Sequence, residues 1–150
     1  MRRSLLCLLA CAPLATLSLA AAEIRWMSQE AMRADFVDKT LRGYYHDGTP
    51  WTASYGGDGR YDVREGGLRA VGSWYFRDRA FCFFYGPPAW SLEERCVATV
   101  KVGANCYEFH LVLPDARVPG DREDFRPEPR WHSRGWRQKE PSTCETTPSA

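Results

Sequence analysis

Three histidines, His46, His110 and His132, are the residues of this chain best suited to organise hydrolysis or to hold a metal. A zinc site needs its donors at short, recognisable spacings such as H-E-x-x-H or paired C-x-x-C. None occurs here: His46 lies at a turn, His110 in an alternating stretch and His132 in a Pro-rich tail. No serine stands in G-x-S-x-G, so a nucleophile elbow is absent. Glu93 and Glu94 read as residues of a solvated loop. Asp47, Asp58 and Asp62 do not supply the positions of a calcium loop and read as turn formers that hydrogen-bond their own backbone. No metal and no cofactor is expected, and an enzymatic reading rests on a motif-less site near His46 and His110.

The cysteines carry covalent rather than catalytic chemistry. Arg2 and Arg3 precede the apolar run "LLCLLACAPLATLSLA", and Ala20 and Ala22 occupy positions minus three and minus one of a cut before Glu23. That is the pattern of a signal peptide over residues 1–22, and it implies a periplasmic or secreted protein. Cys7 and Cys11 leave with the leader, so Cys82, Cys96, Cys106 and Cys144 remain as an even set in an oxidising compartment, where two disulfides are the default. Four cysteines allow three pairings. The favoured one joins Cys82 to Cys96, near the starts of neighbouring strands linked by a Pro-bearing loop, and leaves Cys106 to tether the tail through Cys144. A loop of the first size stabilises by about 3 kcal/mol on the chain-entropy model, and the longer second loop by somewhat more.

The feature above background is aromatic. The stretch "GSWYFRDRAFCFFYGPP", residues 72–88, holds seven rings. Large residues filling a small barrel are the plain explanation. A ligand cradle at the barrel mouth is the functional one, with Tyr44, Trp51, Tyr75 and Trp74 as its candidate contacts.

These residues need elements to position them. Without the leader, residues 23–150 carry 18 basic against 19 acidic side chains, which leaves no electrostatic footprint for nucleic acid. No later run is apolar for long enough to span a bilayer. Ser28 can cap a short helix through "SQEAMRADFVDK", with Met32, Phe36 and Val37 on one side. From Thr40 the period becomes alternating, and turn signals recur at the spacing of short antiparallel strands. Strands are predicted near 40–46, 50–56, 60–65, 69–76, 80–85, 95–102 and 106–113. In the central hairpin Trp74 and Phe76 share one side and Tyr75 the other; Phe81, Phe83 and Tyr85 share one side, Cys82 and Phe84 the other. Both faces bear rings, so the second face needs a cover: the helix, the tail, a partner or a ligand. Residues 114–150 read as an irregular, Pro-rich tail pinned by Trp131, Trp136 and Cys144, fraying beyond that cysteine.

The order "DG", then "YGGDG", then Gly72-Ser73-Trp74, Cys82, Cys96 and a glycine turn before a tyrosine strand resembles a group of small secreted bacterial proteins of unknown function. The resemblance covers residues 27–113 and implies a short N-terminal helix, a compact antiparallel barrel and export, with no activity to carry over. The G-x-W triplet is also similar to that of lipocalins, although theirs opens the first strand and this one stands mid-chain. The expectation is an all-β domain over residues 23–113, an antiparallel meander closing toward a small barrel, lipocalin-like in outline. It would be a monomer that binds a small molecule, a glycan or an envelope protein, the last including an inhibitor-like or envelope-stress partner role.

Overall fold

The computed structural model describes residues 24–85, 94–112 and 126–144. The leader, the Gly86-Pro87-Pro88 turn, Glu93, Phe125 and the residues after Cys144 lie outside them. One helix, α1 (Gln29–Phe36), is followed by strands β1 (Lys39–Tyr45), β2 (Pro50–Tyr55), β3 (Arg60–Glu65), β4 (Leu68–Arg77), β5 (Ala80–Tyr85), β6 (Glu94–Gly103), β7 (Cys106–Leu111) and β8 (Ser133–Arg137). The strands form a closed antiparallel barrel in sequence order, β8 pairing back onto β1. No described helix is long and apolar enough to cross a membrane.

Closure depends on the tail. The reading of residues 114–150 as irregular is corrected at β8, which pairs with β1 from Leu41↔Arg137 to Tyr45↔Ser133 and with β7 from Tyr107↔Gly135 to Phe109↔Ser133. A domain ending at residue 113 would leave β1 and β7 as open edges, each with a row of unpaired backbone groups. Two disulfides, Cys82–Cys96 and Cys106–Cys144, staple the barrel. The first links residues directly opposite one another on β5 and β6, and the second ties the chain just beyond β8 to the start of β7.

Alternation decides what fills the interior. Leu41, Trp51, Ala53, Val63, Trp74, Phe81, Phe83, Val97, Tyr107 and Phe109 point inward and are buried. α1 plugs one end. Ser28 caps it, its Oγ accepting from the Ala31 N–H at 3.1 Å, and the chain leaves the helix at Val37 in extended conformation. Met32 and Phe36 are fully buried, and the Phe36 ring lies 5.0 to 6.5 Å from the rings of Tyr55, Phe81, Tyr107 and Phe109. A helix of eight residues has little stability of its own, so this docking holds it. Asp35 adds a polar anchor: it receives Lys101 Nζ at 2.9 Å, the Tyr107 hydroxyl at 2.9 Å and Arg137 at 3.2 Å, one group from each of β6, β7 and β8. Burial alone would raise the Asp35 pKa, but the hydrogen bonds from Lys101 and Tyr107 and the charges of Lys101 and Arg137 outweigh it and hold the carboxyl below its usual value.

Candidate functional site

α1 lies across one end, and at the opposite end the described residues leave a recess. Because adjacent strands run antiparallel, the inward residues at that end are the last of β1, β3, β5 and β7 and the first of β2, β6 and β8. They are Tyr45, Glu65, Tyr85, Leu111, Trp51, Arg95 and Ser133, and together with Tyr55, Tyr61, Phe83, Val97, Phe109 and His132 they line a cavity of about 50 Å³, counted as space for water centres. A water needs roughly 10–15 Å³ on that measure, so the cavity has room for about four.

Its wall is aromatic. Tyr61 stacks on Tyr55 at 5.4 Å and on Phe83 at 4.9 Å, and Tyr85 meets Tyr61 edge-on at 5.6 Å. Trp51 contacts Phe109 edge-on at 5.8 Å. Its indole lies over two glycines, Gly43 and Gly135, which face one another across β1 and β8. A Cβ on Gly135 would sit 2.6 Å from the Trp51 ring, and a Cβ on Gly43 would sit 2.6 Å from it and 2.0 Å from the Arg134 carbonyl. Glycine at both positions is therefore the space the indole occupies, an aromatic ring covering bare backbone.

The rim is polar. The Tyr45 hydroxyl donates to Glu65 Oε1, and the Tyr61 hydroxyl to Tyr85. Burial is the main reason that Tyr45, Tyr55, Tyr61 and Tyr85 all titrate above the usual tyrosine value; the bond to Glu65 adds to it at Tyr45. These hydroxyls stay protonated, Tyr45 and Tyr61 as donors and Tyr85 as the acceptor from Tyr61. Burial first, and then the charges of Arg95 and His46, push the His132 pKa below its ordinary value. Its ring lies 5.1 Å from Tyr45 and 6.4 Å from His46.

The four residues read from sequence as ligand contacts do not meet in one place. Trp51 lines the mouth. Trp74 is buried near the plugged end, where its indole N–H donates to the Gly56 carbonyl at 2.9 Å and Arg33 of α1 stands over its ring at 5.9 Å. Tyr75 is exposed on the outer face of β4. Tyr44 is on the outer face of β1, edge-on to Trp131 and Trp136 at 6.2 Å each. There Arg42 covers Trp136 and Arg134 covers Trp131, while Arg134 also binds Glu108. This alternation of rings and guanidinium groups fastens β8 to its neighbour across the seam.

The histidines separate as well. His46 approaches His132, whereas His110 is buried on the outer face of β7 with Trp26 edge-on at 5.1 Å and Nδ1 2.8 Å from the Glu128 carbonyl. Among the described residues no group of three or more His, Cys, Asp or Glu is placed to hold a metal ion.

Sequence reasoning missed Tyr45, Glu65 and Arg95, and considered His132 only as a residue of the tail, not of the mouth. The signal that could have found the first three is positional: in an antiparallel meander, alternate strand ends fall at one rim, and the inward residues there line the mouth. His132 comes from the chain leading into β8, a strand the sequence reading did not contain. No protein-family model, no curated protein and no solved structure matches the chain, so what the barrel does is argued from its own residues.

Proposed function

We propose that the protein is an exported, disulfide-stapled barrel that binds a small molecule in its open mouth. The observation that carries this reading is the cavity itself: a ring-lined recess with a polar rim, formed by the described residues at the end of the barrel opposite α1. Barrels of this strand number hold side chains or one small ligand, and an apolar recess with a few convergent polar groups is the usual form of such a site. Export is supported by the leader pattern over residues 1–22 and by two disulfides, which persist in oxidising compartments. Kinship with the small secreted bacterial proteins whose motif order the chain resembles is part of the same proposal.

The test is native mass spectrometry of protein purified from its own source, compared with the same sample denatured. A retained mass lost on denaturation, and absent from Trp51→Ala protein, supports the mouth as a binding site. A bare protein that also fails to bind any member of a small-molecule fragment library by ligand-observed NMR would overturn it.

A second reading has its own observation. Val71, Tyr75 and Phe84 are exposed on the outer face of β4 and β5, which neither α1 nor β8 covers. An envelope protein docking there would use Tyr75 as its central contact. Loss of a co-purifying partner in Tyr75→Ser protein, with the mouth unaffected, would favour this reading over the first.

A further inference from the structure

The charge at the mouth narrows the chemistry of what enters it. Arg95 pairs with Phe83 across β5 and β6, and Phe83 is a core residue, so the Arg95 side chain starts from the inner face of the barrel. It lines the cavity and has no hydrogen-bond or ion-pair partner among the described residues. Four other arginines of the barrel are matched to carboxylates: Arg69 to Asp62, Arg77 to Glu94, Arg134 to Glu108, and Arg137 to Asp35 and Glu140. An inward guanidinium with no anion among the described residues, at the edge of an apolar recess, is a fork of donors suited to a planar pair of oxygens.

The acid of the same rim does not fill that role. Glu65 is the acceptor of the Tyr45 hydroxyl, from a residue on β1 at the far side of Trp51. Among the charged groups around His132, Arg95 acts on it most strongly. His132 and the buried Ser133 add further polar groups to the lining. The space beneath is small and walled by Trp51, Phe83, Val97 and Phe109.

We propose that the mouth takes a small organic carboxylate, its carboxylate held by the Arg95 guanidinium and its short apolar body, a single ring or a few carbons, set against Trp51, Phe83 and Phe109. This rests on the reading of the mouth as a small-molecule site. A phosphate monoester would share the anionic head, but a single guanidinium at a rim that also carries Glu65 suits one negative charge better than two.

Benzoate is the probe, titrated into the disulfide-intact protein by calorimetry, with benzyl alcohol as its neutral counterpart and phenyl phosphate as the dianion. Benzoate should bind at least tenfold more tightly than either. Arg95→Gln should weaken benzoate by about 10- to 100-fold, the loss of a charge-assisted pair, and leave benzyl alcohol unchanged. Arg95→Lys should recover part of the affinity, because charge returns without the fork. Thermal melts of both variants should match the wild type, since Arg95 is exposed at a strand end. Equal binding of benzoate and benzyl alcohol, tighter binding of phenyl phosphate, or indifference to Arg95→Gln would overturn the carboxylate while leaving a small-molecule site standing. Failure of all three probes would overturn the carboxylate; the retained-mass experiment then decides separately whether the mouth binds anything.

Discussion

Replacing Cys106 and Cys144 together by alanine tests what holds the last strand in the barrel. The bond spans a sequence separation of 38 and encloses β7, the connection and β8. On the chain-entropy model a loop of that size stabilises by about 3.9 kcal/mol, against about 3.0 for the separation of 14 between Cys82 and Cys96. With a urea dependence of about 1.5 kcal/mol per molar, the double variant should unfold some 2 to 3 M earlier. β8 should also loosen before the rest, because its five residues are the shortest strand and the bond is their covalent anchor. Amide exchange at Arg134, Gly135 and Trp136 should then quicken more than at Val63 in β3. A midpoint shift below about 0.5 M, with exchange in β8 unchanged, would refute the reasoning: hydrogen bonds to β1 and β7 and the edge-on rings of Tyr44, Trp131 and Trp136 would then suffice to hold the seam.

Phe36→Ala removes the ring that plugs the closed end; as a fully buried aromatic it should cost about 3–5 kcal/mol in chemical denaturation and release α1, read as lost helical exchange protection. Asp35→Asn probes the acid limb: the wild-type carboxyl, held below its usual value, contributes stability that is present above pH 4 and lost as pH falls through its folded pKa, so stability curves of wild type and variant should converge in acid. His132 has the same sign for a different charge: its folded pKa is depressed, so stability is full above its ordinary value and declines as pH falls below it, a decline that His132→Gln should remove from melts between pH 7 and 5. Gly135→Ala places a methyl 2.6 Å from the Trp51 ring; tryptophan fluorescence should shift, and stability fall by about 1–3 kcal/mol, because a well-filled interior resists added volume.

Much of the barrel was legible because its turns are. Gly48, Gly59, Gly66 and Gly67 take positive φ at the hairpin ends, and the seven strands between Thr40 and Leu113 were predicted with ends within about two residues of those observed. β8 was hidden. "SRGWR" is short, follows prolines and carries a central glycine, a residue that weakens a strand considered alone. Its need for glycine comes from Trp51, about eighty positions earlier, and no local pattern reports that. The ligand site was misplaced for a related reason. Where one face of a strand is polar, alternation tells inside from outside, but Tyr44 and Tyr45, or Trp74 and Tyr75, put rings on both faces. The choice between them is made by register: Leu41, Gly43 and Tyr45 face inward because Trp51, Gly135 and Ser133 stand opposite.

The seam between β1 and β8 also orders events in time. Cys82 and Cys96 belong to adjacent strands and can meet as soon as β6 pairs with β5. Every other neighbouring pair from β1 to β7 likewise zips locally, each hairpin next to the last. The first strand finds its second partner only after residue 137 has arrived, a contact about a hundred positions long that local pairing cannot hasten. Until then the nascent sheet is a curled ribbon with two bare edges and its aromatic lining open to water. Arrival of β8 closes that ribbon, and the bond between Cys106 and Cys144 then makes the closure covalent.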